Sequence, residues 1–504
     1  MLSFIRRINS FSFEKYSFEI SYFLIVVIAL LYSVNTLHNF GFIVLIFVSV
    51  LFVFLSFFLY LFLKKKGTTI EIHKLYLIII LFIGVFYILG FPPSQLPDDN
   101  ADYLRSLEVS DLHFTSVSKK DNVGRMYPKI IRKVYESKNY QDYLKNANLK
   151  LEGPKTFLRL ANKSLYAFVC YVPQAIGVGI GKIFNLPIVF QSIFGKICNF
   201  LLYVCLTYLS IKYIPTKKML LFFICLLPMT VQEAASLSPD CMTIVTAIAL
   251  QSFVLWSRST KTNYTMKHYI ALTILNVCLS LSKIVYLPIC FLILLIPKKC
   301  FGTEKNKYLY CISSLILVVS LNLLWLKISS SYLYTFINTR GSNSSIQLKF
   351  ILQSPYQYVL TLFATIDQYS TFYLEQIVGH SLGSFSVKTS YIFVIMALVV
   401  LFRYLFYKDS KKSDYFSNFE KIIILLLIVG TILLIFTSLY LQWTPVYSTI
   451  VEGVQGRYFI PLLPLVSFIF ISKKPKKEDI PLASVSIFIL FNIISIISIY
   501  NTYL

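Results

Sequence analysis

Three carboxylates crowd into the segment FPPSQLPDDNADYLRS, at Asp98, Asp99 and Asp102, directly after an apolar run. Pro92, Pro93 and Pro97 hold the backbone out of helix, so the acids sit at a fixed place where that run ends. Adjacent acids can take a proton from a hydroxyl, which makes Asp98 and Asp99 the candidate catalytic pair. They can also hold a divalent cation, Mg or Mn, that screens a phosphate. The same letters read as a helix start, with Pro97-Asp98 capping a helix that carries Leu104 and Leu107.

Two further clusters border apolar runs. In LPMTVQEAASLSPDCMT, the polar groups of Gln232, Glu233, Ser236, Ser238 and Asp240 are costly near hydrocarbon unless satisfied or used. Ser238-Pro239-Asp240 is also an ordinary helix start. In YLQWTPVYSTIVEGVQGRYFIPLLP, Gly453 and Gly456 allow a tight turn that aims Arg457 at the membrane surface, beside Gln455 and Tyr458. A guanidinium held this way can grip a phosphate in bidentate fashion, or Arg457 and Tyr458 can anchor the chain at headgroup level. Lys283, isolated between apolar runs, could neutralise a lipid phosphate, whereas Lys182 reads as a snorkelling side chain. Tyr356, Asp367, Tyr369 and Lys388 are candidates for an acceptor groove, and His380 reads as a solvated, non-catalytic histidine. With no Walker loop, dinucleotide fingerprint, HExxH or GxSxG, the substrate must arrive activated or merely pass through.

The elements that must position these residues are membrane spans. Of 504 residues 57% are hydrophobic and 14% charged, so lipid is the solvent, and the lack of alternation excludes a barrel. The expected fold is an all-α polytopic bundle of about thirteen spans. The spans fall near 20–38, 41–63, 75–91, 188–211, 218–231, 240–257, 268–282, 284–297, 309–327, 387–406, 421–441, 458–472 and 480–499. The basic start followed by an apolar run without a cleavage site reads as a retained signal anchor. The formal charge of +24 comes from clusters at Arg6-Arg7, Lys64 to Lys66, Lys217-Lys218, Arg258 to Lys267, Lys298 to Lys307, Lys408 to Lys412 and Lys473 to Lys477. Placing all of them inside makes nucleic acid an unneeded partner and sets the amino end in the cytoplasm and the carboxyl end outside. The chain divides into spans over 1–91, a first outer loop with interfacial helices over 92–187, spans over 188–327, a second outer loop over 328–386, and spans over 387–504 with an outer loop at 442–457. The segment YVPQAIGVGIGKIF, with Pro173 and three alternate glycines, suits a helix lying in the interface or dipping in and out. The scattered cysteines read as packing residues.

The succession PSQLPDDNADYLRS, YVPQAIGVGIGKIF, LLPMTVQEAASLSPD, LSKIVYLP and EGVQGRYFIPLLPL resembles the bacterial membrane family called domain of unknown function 2142, from about residue 80 onward. That family is similar in layout to the GT-C glycosyltransferases, which take a sugar from a polyprenyl-phosphate or polyprenyl-pyrophosphate carrier outside the cytoplasm. The resemblance implies a GT-C-like bundle with a large outer loop after the third span. It puts Asp98 and Asp99 at the family's acidic pair, Asp102 where the family often has histidine, and Arg105 at its arginine. Asp240 matches the acid after Ala-Ser-Leu-Ser, and Arg457 the arginine of Gln-Gly-Arg-Tyr. The expectation is a membrane glycosyltransferase acting on a polyprenyl-phosphate-linked sugar and a cell-envelope glycan. Asp98 or Asp99 would be the base, with Arg457, Lys283, Asp240, Arg105, Gln455 and Tyr458 around the phosphate. A flippase for lipid-linked oligosaccharide, a polysaccharide polymerase or ligase, and a non-catalytic partner in glycan assembly are the alternatives.

Overall fold

A computed structural model describes residues 71–503 except 120–121, 138–139, 261, 338–340, 408–415 and 472–481. The expected spans at 20–38 and 41–63 and the basic clusters at residues 6–7, 64–66, 408–412 and 473–477 therefore lie outside the described residues.

Six helices among the described residues are long and apolar enough to cross a membrane: Ile72–Gly90, Ile188–Tyr213, Asp240–Ser259, Glu304–Tyr332, Asn418–Gln442 and Ser484–Tyr503. Each coincides with an expected span. Others are shorter than expected. Pro228 cannot donate into a helix, so the stretch expected as one span at 218–231 breaks into Lys218–Ile224 and Pro228–Ala234, both buried in the core. The stretch at 284–297 likewise becomes short 3-10 and α turns around Pro288.

The loops are more structured than the sequence suggested. The segment after Ile72–Gly90 holds the helix Asp99–Ser110 against an antiparallel sheet of β1 (Val117–Lys119), β2 (Asn122–Pro128) and β3 (Lys155–Arg159), a small sheet that the expected all-α class left out of a mostly helical chain. Gly124 pairs with Arg159 and Met126 with Phe157 in the β2–β3 register. Tyr103, Leu107, Tyr127, Ile131 and Leu158 give the loop its own apolar core. The helix Glu304–Ile337 has 34 residues and is about 50 Å long, well beyond a hydrocarbon core of about 30 Å. Its surplus supports the loop, through Trp325 Nε1 to the Leu165 carbonyl (2.7 Å) and the Tyr332 hydroxyl to the Ser116 carbonyl (2.8 Å). The second loop is helical too, as Ser344–Gln353 and Pro355–Val378.

The glycine-rich segment forms the helix Val172–Ile183, folded back on Ile188–Tyr213. A Cβ on Gly177 would collide with the Phe194 carbonyl, and one on Gly181 would lie 2.9 Å from Gln191 Cα. These glycines serve close helix packing. The opposite face still carries exposed Val172, Ile176 and Ile183.

The described basic clusters share one end of the bundle. Lys217 Nζ donates to the Leu405 carbonyl (3.0 Å), and Arg258 pairs with Glu420 (2.7 Å) and the Leu295 carbonyl (2.7 Å). Phe406 stacks edge-on with Phe470, and Phe416 lies parallel to Phe468, tying these helix ends together. Asp240 begins the helix that Arg258 nearly ends, so the two are separated by about 27 Å of helix.

Candidate functional site

At the end opposite the basic clusters, five separate stretches of chain meet. Asp98 precedes the helix Asp99–Ser110 with φ +60° and makes no capping bond. The left-handed backbone turns its carboxylate out of the cap position and toward Lys163, 3.2 Å away. Lys163 is buried and also meets Asp102 Oδ1 at 3.1 Å, where the Tyr171 hydroxyl donates at 2.7 Å. Of these acids only Asp98 is open, its side chain 48% exposed against 2% for Asp102.

Asp240 starts its helix, where the positive end of the helix dipole favours a carboxylate. It forms ion pairs with Lys283 and, at 3.3 Å, with Arg457 Nε. Lys283 terminates the helix Met266–Ser282 in extended conformation, its ammonium 4.2 Å from the centre of the Tyr458 ring. The Tyr166 ring lies between two lysines, with Lys163 at 5.7 Å and Lys283 at 5.8 Å. Arg457 follows Gly456, whose missing side chain lets the backbone rest against the helix Pro355–Val378 and donate to Gln376 Oε1 at 2.6 Å. Its guanidinium turns inward and donates to Glu233 Oε1 at 2.9 Å.

Some of these groups border a cavity of about 330 Å³. Asp98, Lys283, Gln455 and Tyr458 line it, with Tyr166, Trp325 and Trp443. Leu326 on Glu304–Ile337 and Ile435 and Leu439 on Asn418–Gln442 supply apolar wall. The arrangement offers one open carboxylate and one ammonium beside surfaces suited to rings and hydrocarbon.

The loop charges titrate differently. The Lys163 ammonium beside Asp98 holds its carboxyl below the usual range, so Asp98 is ionised. Burial pushes Asp102 up to about 7, against the pull of Lys163, and raises Asp99 as well. Burial opposes the charge on Lys163, but Asp102 and Asp98 together more than reverse it and keep the lysine protonated.

Several expectations are corrected. Asp99 faces away from the cavity and accepts from the Ser94 amide at 3.0 Å, so Asp98 and Asp99 do not form a chelating pair. Among the described residues no group of three His, Cys, Asp or Glu could hold a metal ion. Arg105 stands outside the site, fully buried against Glu108 and the Phe114 carbonyl (2.9 Å), with Arg125 completing that cluster. It braces the loop. Arg457 points into the protein instead of at the surface and does not line the large cavity. Lys182 pairs with Asp111 instead of snorkelling. His380 is buried and stacked on Tyr391, not solvated. Tyr356 and Asp367 are exposed on the helix Pro355–Val378, and neither they nor Tyr369 nor Lys388 reaches the cavity.

Lys163 and Tyr171 carried no signal in the sequence: the lysine is one of 13 basic residues in its loop. Glu233 was visible as a polar residue near hydrocarbon, but its partner was not.

The model of a family described as a predicted membrane protein, DUF2142, matches residues 81–466. The chain belongs to the DUF2142 family. That match spans every stretch contributing to the site, from Asp98 to Tyr458, so the site is built wholly from DUF2142 sequence. No curated protein and no solved structure matches.

Proposed function

We propose that the protein transfers a sugar from a polyprenyl-phosphate carrier to a cell-envelope glycan at the extracytoplasmic face of the membrane. The observation that carries this reading is the cavity itself: Asp98 and Lys283 both line it, and two membrane-length helices supply its apolar flank. A lipid phosphate lodged there has its tail beside hydrocarbon and its phosphate beside an ammonium. Asp98 accepts the proton of an incoming hydroxyl as the sugar leaves the phosphate. The low pKa of Asp98 makes proton transfer late, in step with departure of the leaving group. Lys283 offsets the negative charge that develops on the phosphate oxygen, while the buried pair of Arg457 and Asp240 fixes Lys283 in place. No step requires a nucleotide.

The positive-inside rule supports the orientation, because the described basic clusters gather at the far end of the bundle. A flippase path would carry charges at mid-membrane, whereas these charges collect at one end. The test is loss of the protein from the cell. The reading expects a sugar missing from the surface glycan and its lipid-linked donor accumulating in the outer leaflet. Unchanged glycans contradict it, and donor trapped in the inner leaflet identifies a flippase instead.

A further inference from the structure

The charge inventory of the site limits how much phosphate it can accept. Three cations, Lys163, Lys283 and Arg457, stand against three carboxylates, Asp98, Glu233 and Asp240, and a fourth acid, Asp102, that is part-protonated near neutral pH. Each cation therefore already has a carboxylate partner. Arg457 lies behind Asp240 and Glu233, and Lys163 between Asp98 and Asp102. Of the three, Lys283 alone lines the large cavity, its side chain 12% exposed. Asp98 adds a negative charge to the lining of the same cavity.

A lipid joined to a sugar through one phosphate is a diester with one negative charge; through a pyrophosphate it carries two. The first charge can share Lys283 with Asp240. A second would face Asp98 with no further cation among the described residues that line the cavity, in a partly desolvated place where unmatched charge is strongly disfavoured. The neutral lining, Asn322, Ser329, Ser438, Gln442 and Gln455, can hydrogen-bond a sugar or a phosphate oxygen but cannot neutralise it. We infer that this cavity selects lipids carrying a single phosphate over those carrying a pyrophosphate, and does so without a divalent cation. The inference rests on the transferase reading and names its donor class.

The experiment uses the full chain in phosphatidylcholine nanodiscs and two synthetic probes, farnesyl phosphoglucose and farnesyl diphosphoglucose, identical but for one phosphate. Binding is read by quenching of tryptophan fluorescence, since Trp325 and Trp443 line the cavity, with and without a chelator. The monophosphate lipid is expected to bind at least about ten times more tightly, and the chelator to change nothing. Ser438→Trp and, on the facing helix, Leu326→Trp each fill the cavity and are expected to abolish binding as followed by calorimetry. Equal or tighter binding of the diphosphate lipid, or binding gained only with added magnesium, overturns the inference and leaves the transferase reading standing. If neither lipid binds, or both filled variants fold and bind normally, the cavity is not a lipid-phosphate site and both readings fall.

Discussion

Lys163 joins Asp98 to Asp102, 3.2 Å from one carboxylate and 3.1 Å from the other, and so links the open acid to a buried one. The lysine comes from a 3-10 turn, Ala161–Leu165, and the acids from the two sides of a helix start. Asp98 is thereby held in a left-handed backbone conformation that costs about 1 kcal/mol for a residue with a side chain. Strain of this kind is kept where the surrounding contacts impose it.

Lys163→Met removes the partner of Asp98 and leaves Asp102 with Tyr171 alone. Sugar incorporation into the surface glycan should fall by about a hundredfold at equal protein level, on the scale of losing a positioned base. Lys163→Arg keeps the charge and should retain part of the activity. Normal incorporation in Lys163→Met would show that the bridge is only structural.

Asp102 supplies a pH signature. Its carboxyl lies higher in the folded protein, about 7, than the roughly 3.9 of a free aspartate, so the unfolded chain ionises first. The stability this group contributes is present at low pH and is lost as pH rises through about 7. Infrared titration should show a protonated carboxyl that disappears near neutral pH in the native protein and is missing in Asp102→Asn. The variant should also show a flatter fall of thermal stability between about pH 4 and pH 7, the window set by these values. An unchanged titration in Asp102→Asn would assign the signal elsewhere.

Gly453 has φ +81°, and a Cβ there would lie 2.5 Å from Trp443 Cδ1. Gly453→Ala therefore meets both an unfavourable backbone and the indole that lines the cavity, at a cost of about 1 kcal/mol or more. The expected kinetic result is a raised KM for the donor lipid with kcat little changed, matched by Trp443→Ala. A fall in kcat with KM unchanged would remove Trp443 from donor binding.

Arg457 and Glu233 form a buried pair whose breakage leaves a charge without its partner. Arg457→Ala should cost about 3–5 kcal/mol and lower the amount of folded protein in the membrane, so its inactivity alone says nothing of catalysis. Glu233→Gln combined with Arg457→Gln should recover folded protein more than either single change, as measured by thermal melting in detergent. Equal melting of Arg457→Ala and the native protein would contradict the pairing.

Much of this site is legible as residue types at the ends of apolar runs. Asp98, Asp240, Lys283, Gln455 and Tyr458 stand out as polar groups near hydrocarbon, and the structure gathers all but Asp240 around one cavity, with Asp240 paired to Lys283. Pairings are not legible, since they join residues far apart in the chain: Arg457 to Glu233, and Asp98 to Lys163. Arg105 misleads because it sits in the acidic motif, although Glu108 three residues on is the spacing of a helical ion pair. The helix Pro355–Val378 escapes notice because Asp367, Glu375 and its glutamines lower its hydropathy below that of a span.

The most direct test is Asp98→Asn, which removes the proton acceptor while preserving shape. With the protein at native level in the membrane and farnesyl phosphoglucose bound at least as tightly, the account predicts that the surface glycan loses its sugar and the lipid-linked donor accumulates. A surface glycan at native levels in that variant would contradict it.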